Sequence, residues 1–246
     1  MTELILRPNA PGDRTGLCPY PSSGYNWDKV DDVVVDYNTT YVSTSISHGT
    51  DYDLYNLRNR DPLKEAGTIN SVRVYITVYG GTTPNHAYEL IKIGGNIYQN
   101  TEDMIQGWKS FAYTWTENPA TSLAWTWDDI DNLQIGVKLE PPTGGIMGQG
   151  TSGCTQVAVK ITYDSVPFVS NIAPTLVEET TATGNANITD VGYENATKRG
   201  FCYNTTGSPT VADDKVEEEG DYGTGLYDLA ITLLDPGTLK TNGTES

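Results

Sequence analysis

The sequence predicts an all-β protein made of two β-sandwiches. Three observations carry this reading: composition, two-residue alternation in one segment after another, and turn residues at short spacing. The 246 residues include 33 Thr, 25 Gly and 16 Tyr against 3 Phe and 3 Met. β-Branched and aromatic side chains suit a pleated, half-buried surface. The length suffices for one or two domains with real cores. Asp and Glu total 32 against 15 Lys and Arg, a net charge of −17. That charge excludes a basic nucleic-acid reader. Its plain reading is colloidal solubility of an exposed or assembled particle surface, with a high-salt habitat as the other. No window approaches eighteen consecutive apolar residues, and Met1 to Arg7 lack the basic start and apolar run of a secretory signal. Neither a membrane span nor an export signal is expected.

Taken in order, Val72, Val74, Ile76 and Val78 alternate with Arg73, Tyr75, Thr77 and Tyr79, a strand with one buried face that Gly80-Gly81 ends. Segments 87–93 and 97–99 flank Gly94-Gly95-Asn96, a hairpin turn that needs positive φ. Phe111, Tyr113 and Trp115 give an aromatic inner face. Thr126 three residues before Asp129 makes a capping-box-like start to one helical turn, with Trp125 and Trp127 as corner packing. Leu133, Ile135, Val137 and Leu139 form the next strand, and after the 141–145 turn Val157, Val159, Ile161 and Tyr163 form another. Pro167 then interrupts the ladder, which places domain boundaries at 1–165 and 166–246. In the second domain, 180–188, 198–204 and 226–233 read as strands, and the charged stretch 212–220 reads as a solvated loop.

Candidate chemistry is weighed against plainer roles. Asp28, Asp31, Asp32 and Asp36, then Asp51 and Asp53, then Asp128, Asp129 and Asp131 offer hard oxygen ligands. None matches the twelve-residue calcium loop, so Asp28, Asp31, Asp32, Asp51 and Asp53 are weak Ca²⁺ candidates, with solvated carboxylates as the default. Acids abound, but no pair is singled out for glycoside hydrolysis. His48 and His86 are the only two histidines, both read as loop residues. A three-His metal centre is thereby impossible and a Ser-His-Asp triad unsupported. Neither a catalytic motif nor a cofactor motif occurs, so no enzyme and no cofactor other than Ca²⁺ is expected. Tyr75 and Tyr79, outward on one strand, are the candidates for stacking on a glycan, against ordinary strand dressing. Asn38, Asn187, Asn195, Asn204 and Asn242 stand in N-x-[ST] sequons, available only in a glycosylating pathway. Cys18, Cys154 and Cys202 read as isolated core thiols; a Cys18–Cys154 disulfide is the alternative.

Leu6-Arg-Pro-Asn-Ala-Pro-Gly-Asp13, Tyr20-Pro-Ser-Ser-Gly24, Tyr113-Thr-Trp-Thr-Glu-Asn-Pro-Ala120 and Ala124-Trp-Thr-Trp-Asp-Asp-Ile-Asp-Asn-Leu-Gln-Ile-Gly136 resemble a module of tailed-phage and environmental viral structural proteins. The resemblance spans residues 4–163 and implies a jelly-roll-like β-sandwich on a virion exterior. Thr181-Ala-Thr-Gly-Asn-Ala-Asn-Ile-Thr-Asp190, Lys198-Arg-Gly-Phe-Cys-Tyr203 and Leu234-Asp-Pro-Gly-Thr238 resemble a fibronectin type III-like, immunoglobulin-like module. Such a module continues with two further strands, whereas this chain runs from Leu239 to Ser246. The expectation is therefore an incomplete second sandwich. The chain would then be a fragment, be completed by a strand from a neighbouring subunit, or be a naturally reduced sandwich. The segment 3–7 could donate such a strand, but reads better as the first strand of domain one.

These expectations converge on a non-enzymatic virion structural protein, a capsid-decoration or tail/fibre component. Its partners would be other copies of itself or other virion proteins, with host-surface glycan adhesion compatible. The alternatives are an extracellular or cell-surface filament subunit joined by strand complementation, and a carbohydrate-binding module.

Overall fold

The computed structural model describes residues 1–45, 47–62, 64–80, 85–104, 106–141, 151–232, 234 and, for the backbone, 241–245. The expected turn residues Gly81 and 142–145, and the 235–240 stretch, lie outside the described residues. Two compact units result: Glu3–Asp61 with Thr68–Tyr163, and Met1–Thr2 with Pro62–Gly67 and Asp164–Ser246.

In the larger unit the strands are β1 (Thr2–Leu6), β2 (Pro8–Thr15), β3 (Cys18–Tyr20), β4 (Tyr41–Ser45), β5 (Asp51–Leu57), β6 (Gly67–Gly80), β7 (Asn85–Ile93), β8 (Asn96–Met104), β9 (Gly107–Trp115), β10 (Gln134–Leu139) and β11 (Thr151–Ser165). They form a six-stranded sheet, β3-β4-β11-β6-β9 with β1 also on β11, and a five-stranded sheet, β2-β5-β10-β7-β8. The segment 3–7 thus serves mainly as a first strand within its own chain. Alternation places the core as expected: Val72, Val74, Ile76 and Val78 from one sheet meet Ile91, Ile135, Val137 and Leu139 from the other in one buried cluster. Gly94 and Gly95, at φ +57° and +87°, make the two-residue turn between β7 and β8. Tyr113 departs from the expected aromatic inner face: it keeps 40% of its surface exposed because β9 is a sheet edge, whereas Trp115 is buried. The helical turn α1 (Trp127–Asp131) has a full capping box: the Thr126 hydroxyl accepts from the Asp129 amide while the Asp129 carboxylate accepts from Thr126 N–H. Trp125 donates its indole N–H to the Trp115 carbonyl, which fixes the corner.

The smaller unit contains β12 (Phe168–Thr175), β13 (Ala182–Asp190), β14 (Ala196–Asn204), β15 (Asp214–Tyr222), β16 (Gly225–Ile231) and β17 (Thr241–Glu245). Its sheets are β12-β13-β16 and β15-β14-β17, around a core of Ala186, Ile188, Phe201, Tyr227 and Ile231. Two expectations are corrected. Most of the charged stretch 212–220 is strand rather than loop, because its acids find cross-strand cations on β14: Lys198 bonds Glu217 and Arg199 bonds Glu218. The terminal segment also supplies a strand of its own, as Thr241 to Glu245 pair antiparallel with Asn204 to Gly200. One edge of β14 is thus paired within the chain.

Candidate functional site

Tyr79 leads to the most developed surface feature of the larger unit. It points away from the core on β6, and its register partner on the edge strand β9 is Trp108. The two rings lie 5.5 Å apart. The Trp108 indole lies 6.3 Å from the Tyr41 ring on β4 and 6.0 Å from Tyr37. Tyr41 in turn stacks on its register partner Tyr20 at 4.7 Å and 17°. Gly153 lies beneath this assembly. β11 runs between β4 and β6, and a Cβ at Gly153 would meet both Tyr41 and Trp108, at 3.5 and 3.7 Å. These are ordinary van der Waals distances, so the two rings close over the middle strand with room for no more than a small side chain beneath them. Asn38 accepts the Trp108 indole N–H at 3.1 Å and fixes the ring. Tyr20 and Tyr37 each keep 49% of their surface exposed. The result is a continuous bank of five rings with π-faces and hydroxyls available to a ligand.

Tyr75, the other glycan candidate, is not part of this bank. The Thr77–Ser110 hydroxyl pair at 2.9 Å separates it from Tyr79, and the Arg73 guanidinium sits 5.2 Å from its ring centroid. Sequence reading missed Trp108, Tyr41, Tyr37 and Tyr20. The only local hint was that Trp108 shares strand parity with Ser110 and Ala112, which is the outward parity of β9.

The proposed Ca²⁺ ligands do not converge: among the described residues, no three His, Cys, Asp or Glu side chains are grouped to hold a metal ion. Asp53 is fully buried and has protein donors on both oxygens. Oδ1 accepts from the Gly16 and Leu17 amides at 2.7 and 2.8 Å, and Oδ2 from Asn26 and Tyr55 at 2.6 and 3.0 Å. Asp51 accepts from Arg14 at 2.8 Å, which, with the Tyr52 amide, holds its carboxyl below the ordinary range against burial. Asp28 faces Lys29 at 3.2 Å. Burial raises Asp31 and Asp32 above the usual carboxylate range, helped by neighbouring carboxylates.

His86 is not a loop residue: it lies in β7, with Nδ1 2.8 Å from Glu140 and Nε2 3.2 Å from Asp103. Glu140 also accepts from the Tyr88 hydroxyl and is held low by these hydrogen bonds despite desolvation. His48 shares Nδ1 with the hydroxyls of Ser45 and Ser47 within one exposed turn.

No disulfide joins Cys18, Cys154 or Cys202. Cys18 lies opposite Ser43, and Cys154 opposite Val42, on the two sides of β4. Two strand spacings, about 9.5 Å, exceed the reach of a disulfide. Among the sequons, Asn195 is exposed. Asn38 and Asn204 use their amide oxygens internally, Asn187 lies in β13 and Asn242 in β17. No helix among the described residues is long and apolar enough to cross a membrane. No family model and no curated protein matches the chain.

Proposed function

We propose that this chain is a non-enzymatic structural protein of a virion exterior, a decoration or tail/fibre component, and that its aromatic bank adheres to host-surface glycan. The observation that carries the adhesive part is the five-ring bank of Tyr20, Tyr37, Tyr41, Tyr79 and Trp108 on the outward face of one sheet. Flat rings stack on the apolar faces of sugars, and phenol hydroxyls and nearby amides bond their hydroxyls. The internal saturation of Asp53 and the engagement of Glu140 by His86 and Tyr88 favour a structural role for these acids. The virion context rests on the resemblance over residues 4–163.

Two measurements test the reading. On an array of neutral glycans, Trp108→Ala and Tyr41→Ala should abolish a signal that Tyr75→Ala preserves. An unchanged signal in Trp108→Ala removes the bank as the adhesive surface. Imaging of the native assembly should show the chain on the outside of icosahedral or tail-like particles; a helical polymer of the chain alone would replace the virion reading with a filament.

A further inference from the structure

We infer that the outward face of the five-stranded sheet carries a second site, for a carboxylated sugar. This is the opposite sheet from the aromatic bank, and the inference does not depend on it. Register places Lys138 of β10 directly between Tyr52 of β5 and Tyr88 of β7. In the adjacent row Gly136 stands between Leu54 and Leu90. No side chain fits at Gly136, since a Cβ there would lie 2.1 Å from the Asp53 carbonyl oxygen. Leu54, Leu90 and Tyr88 form an apolar floor of their own, separate from the main core. Beside it opens a cavity of about 390 Å³ lined by Arg14, Asp51, Tyr52, Leu90, Gln99 and Lys138, among others. That volume lies in the range of small-molecule pockets.

The lining chemistry narrows the ligand. Tyr52 and the exposed Ile97 offer apolar contact, while Gln99 and the Arg14–Asp51 pair, 2.8 Å apart, offer both donors and acceptors for hydroxyls. A polyhydroxylated ring answers all of these. The Lys138 ammonium is held 4.1 Å from the Tyr88 ring centroid. Among the described residues it makes no ion pair within 4.0 Å, although the Glu140 carboxylate, which accepts from the Tyr88 hydroxyl, interacts with its charge. A lysine ammonium presented in a cavity favours an anionic partner such as a carboxylate, against the general repulsion of a chain of net −17. The Asp51 carboxylate in the same wall disfavours the doubly charged phosphate. Uronate and sialic-acid residues share the required combination of ring hydroxyls and one carboxylate.

Isothermal titration of the whole chain with trigalacturonate, 3′-sialyllactose and the neutral cellotriose tests the assignment. At least one acidic sugar should bind roughly tenfold or more tightly than cellotriose, the increment of a charged hydrogen bond, and which one does so identifies the source. Lys138→Met keeps the stem against Tyr88 and should lose about tenfold in affinity for that sugar, with an unchanged melting profile, while Trp108→Ala should bind normally. Failure of both acidic sugars to bind, equal binding of cellotriose by Trp108→Ala, in which the bank is removed, or undiminished binding by a folded Lys138→Met would each overturn the inference.

Discussion

Glu89 sits on the inward face of β7 with no accessible surface, among hydrophobic residues of the sandwich. Its Oε2 accepts from Asn100 at 3.2 Å, and its buried Oε1 has no hydrogen-bond partner. The Asn100 amide is shared with Glu102, so a second carboxylate faces the first rather than a cation. Burial, with Glu102 adding to it, pushes the Glu89 carboxyl up to about 7 from 4.5. Between those values the folded chain holds a proton that the unfolded chain has released. Stability from this group is therefore full below pH 4.5 and is lost as pH rises through 7. The linkage integral for these two values gives about 2–3 kcal/mol of stability lost between pH 5 and pH 8. For a unit of this size that is roughly 5–10 °C in Tm. Asp13, Asp51 and Glu140, whose carboxyls are held low, act in the opposite sense and at more acid pH. All five tryptophans, Trp27, Trp108, Trp115, Trp125 and Trp127, belong to the larger unit, so tryptophan fluorescence reads the melting of the sandwich that holds Glu89. Glu89→Gln should flatten the fall in Tm from pH 5 to pH 8, whatever its offset at pH 5. If the variant retains the wild-type slope, the buried carboxyl is not the titrating group and the reasoning fails.

Asp53→Ala strands two amides, the Asn26 amide group and the Tyr55 hydroxyl in a buried site. It should cost more than about 3 kcal/mol in urea unfolding, and a loss below about 1 kcal/mol would show that water replaces the carboxylate. Burial pushes the Cys154 thiol up to about 12, and Cys202 is 2% exposed. An aromatic disulfide reagent should therefore modify at most Cys18 in the native chain and all three thiols in urea; a rapidly reacting Cys154 would refute its placement.

How much was legible follows from which interactions are local in sequence. Alternation at Val72 to Val78 and Val157 to Ile161, the Gly94-Gly95 turn and the Thr126 cap were readable because each needs only a few consecutive residues. β15 was misread because an acidic run looks solvated until its pairing with Lys198 and Arg199 is known. The aromatic bank was half-read for the same reason. Tyr79 announces its outward parity within its own strand, but its meeting with Trp108, 29 positions later, depends on the β6–β9 register, and the closure onto Tyr41 depends on strand order across a third strand, β11. The floor of the opposite face was hidden more deeply. Leu54 and Leu90 occupy outward parity, where apolar residues look like exceptions to the alternation until Gly136 places them on either side of one gap. Both faces thus gather side chains from separate strands around a glycine in the strand between them. A residue type that reads locally as weak strand former stands, once the sheet is assembled, where distant side chains meet, and at Gly136 the close Asp53 carbonyl leaves room for nothing larger.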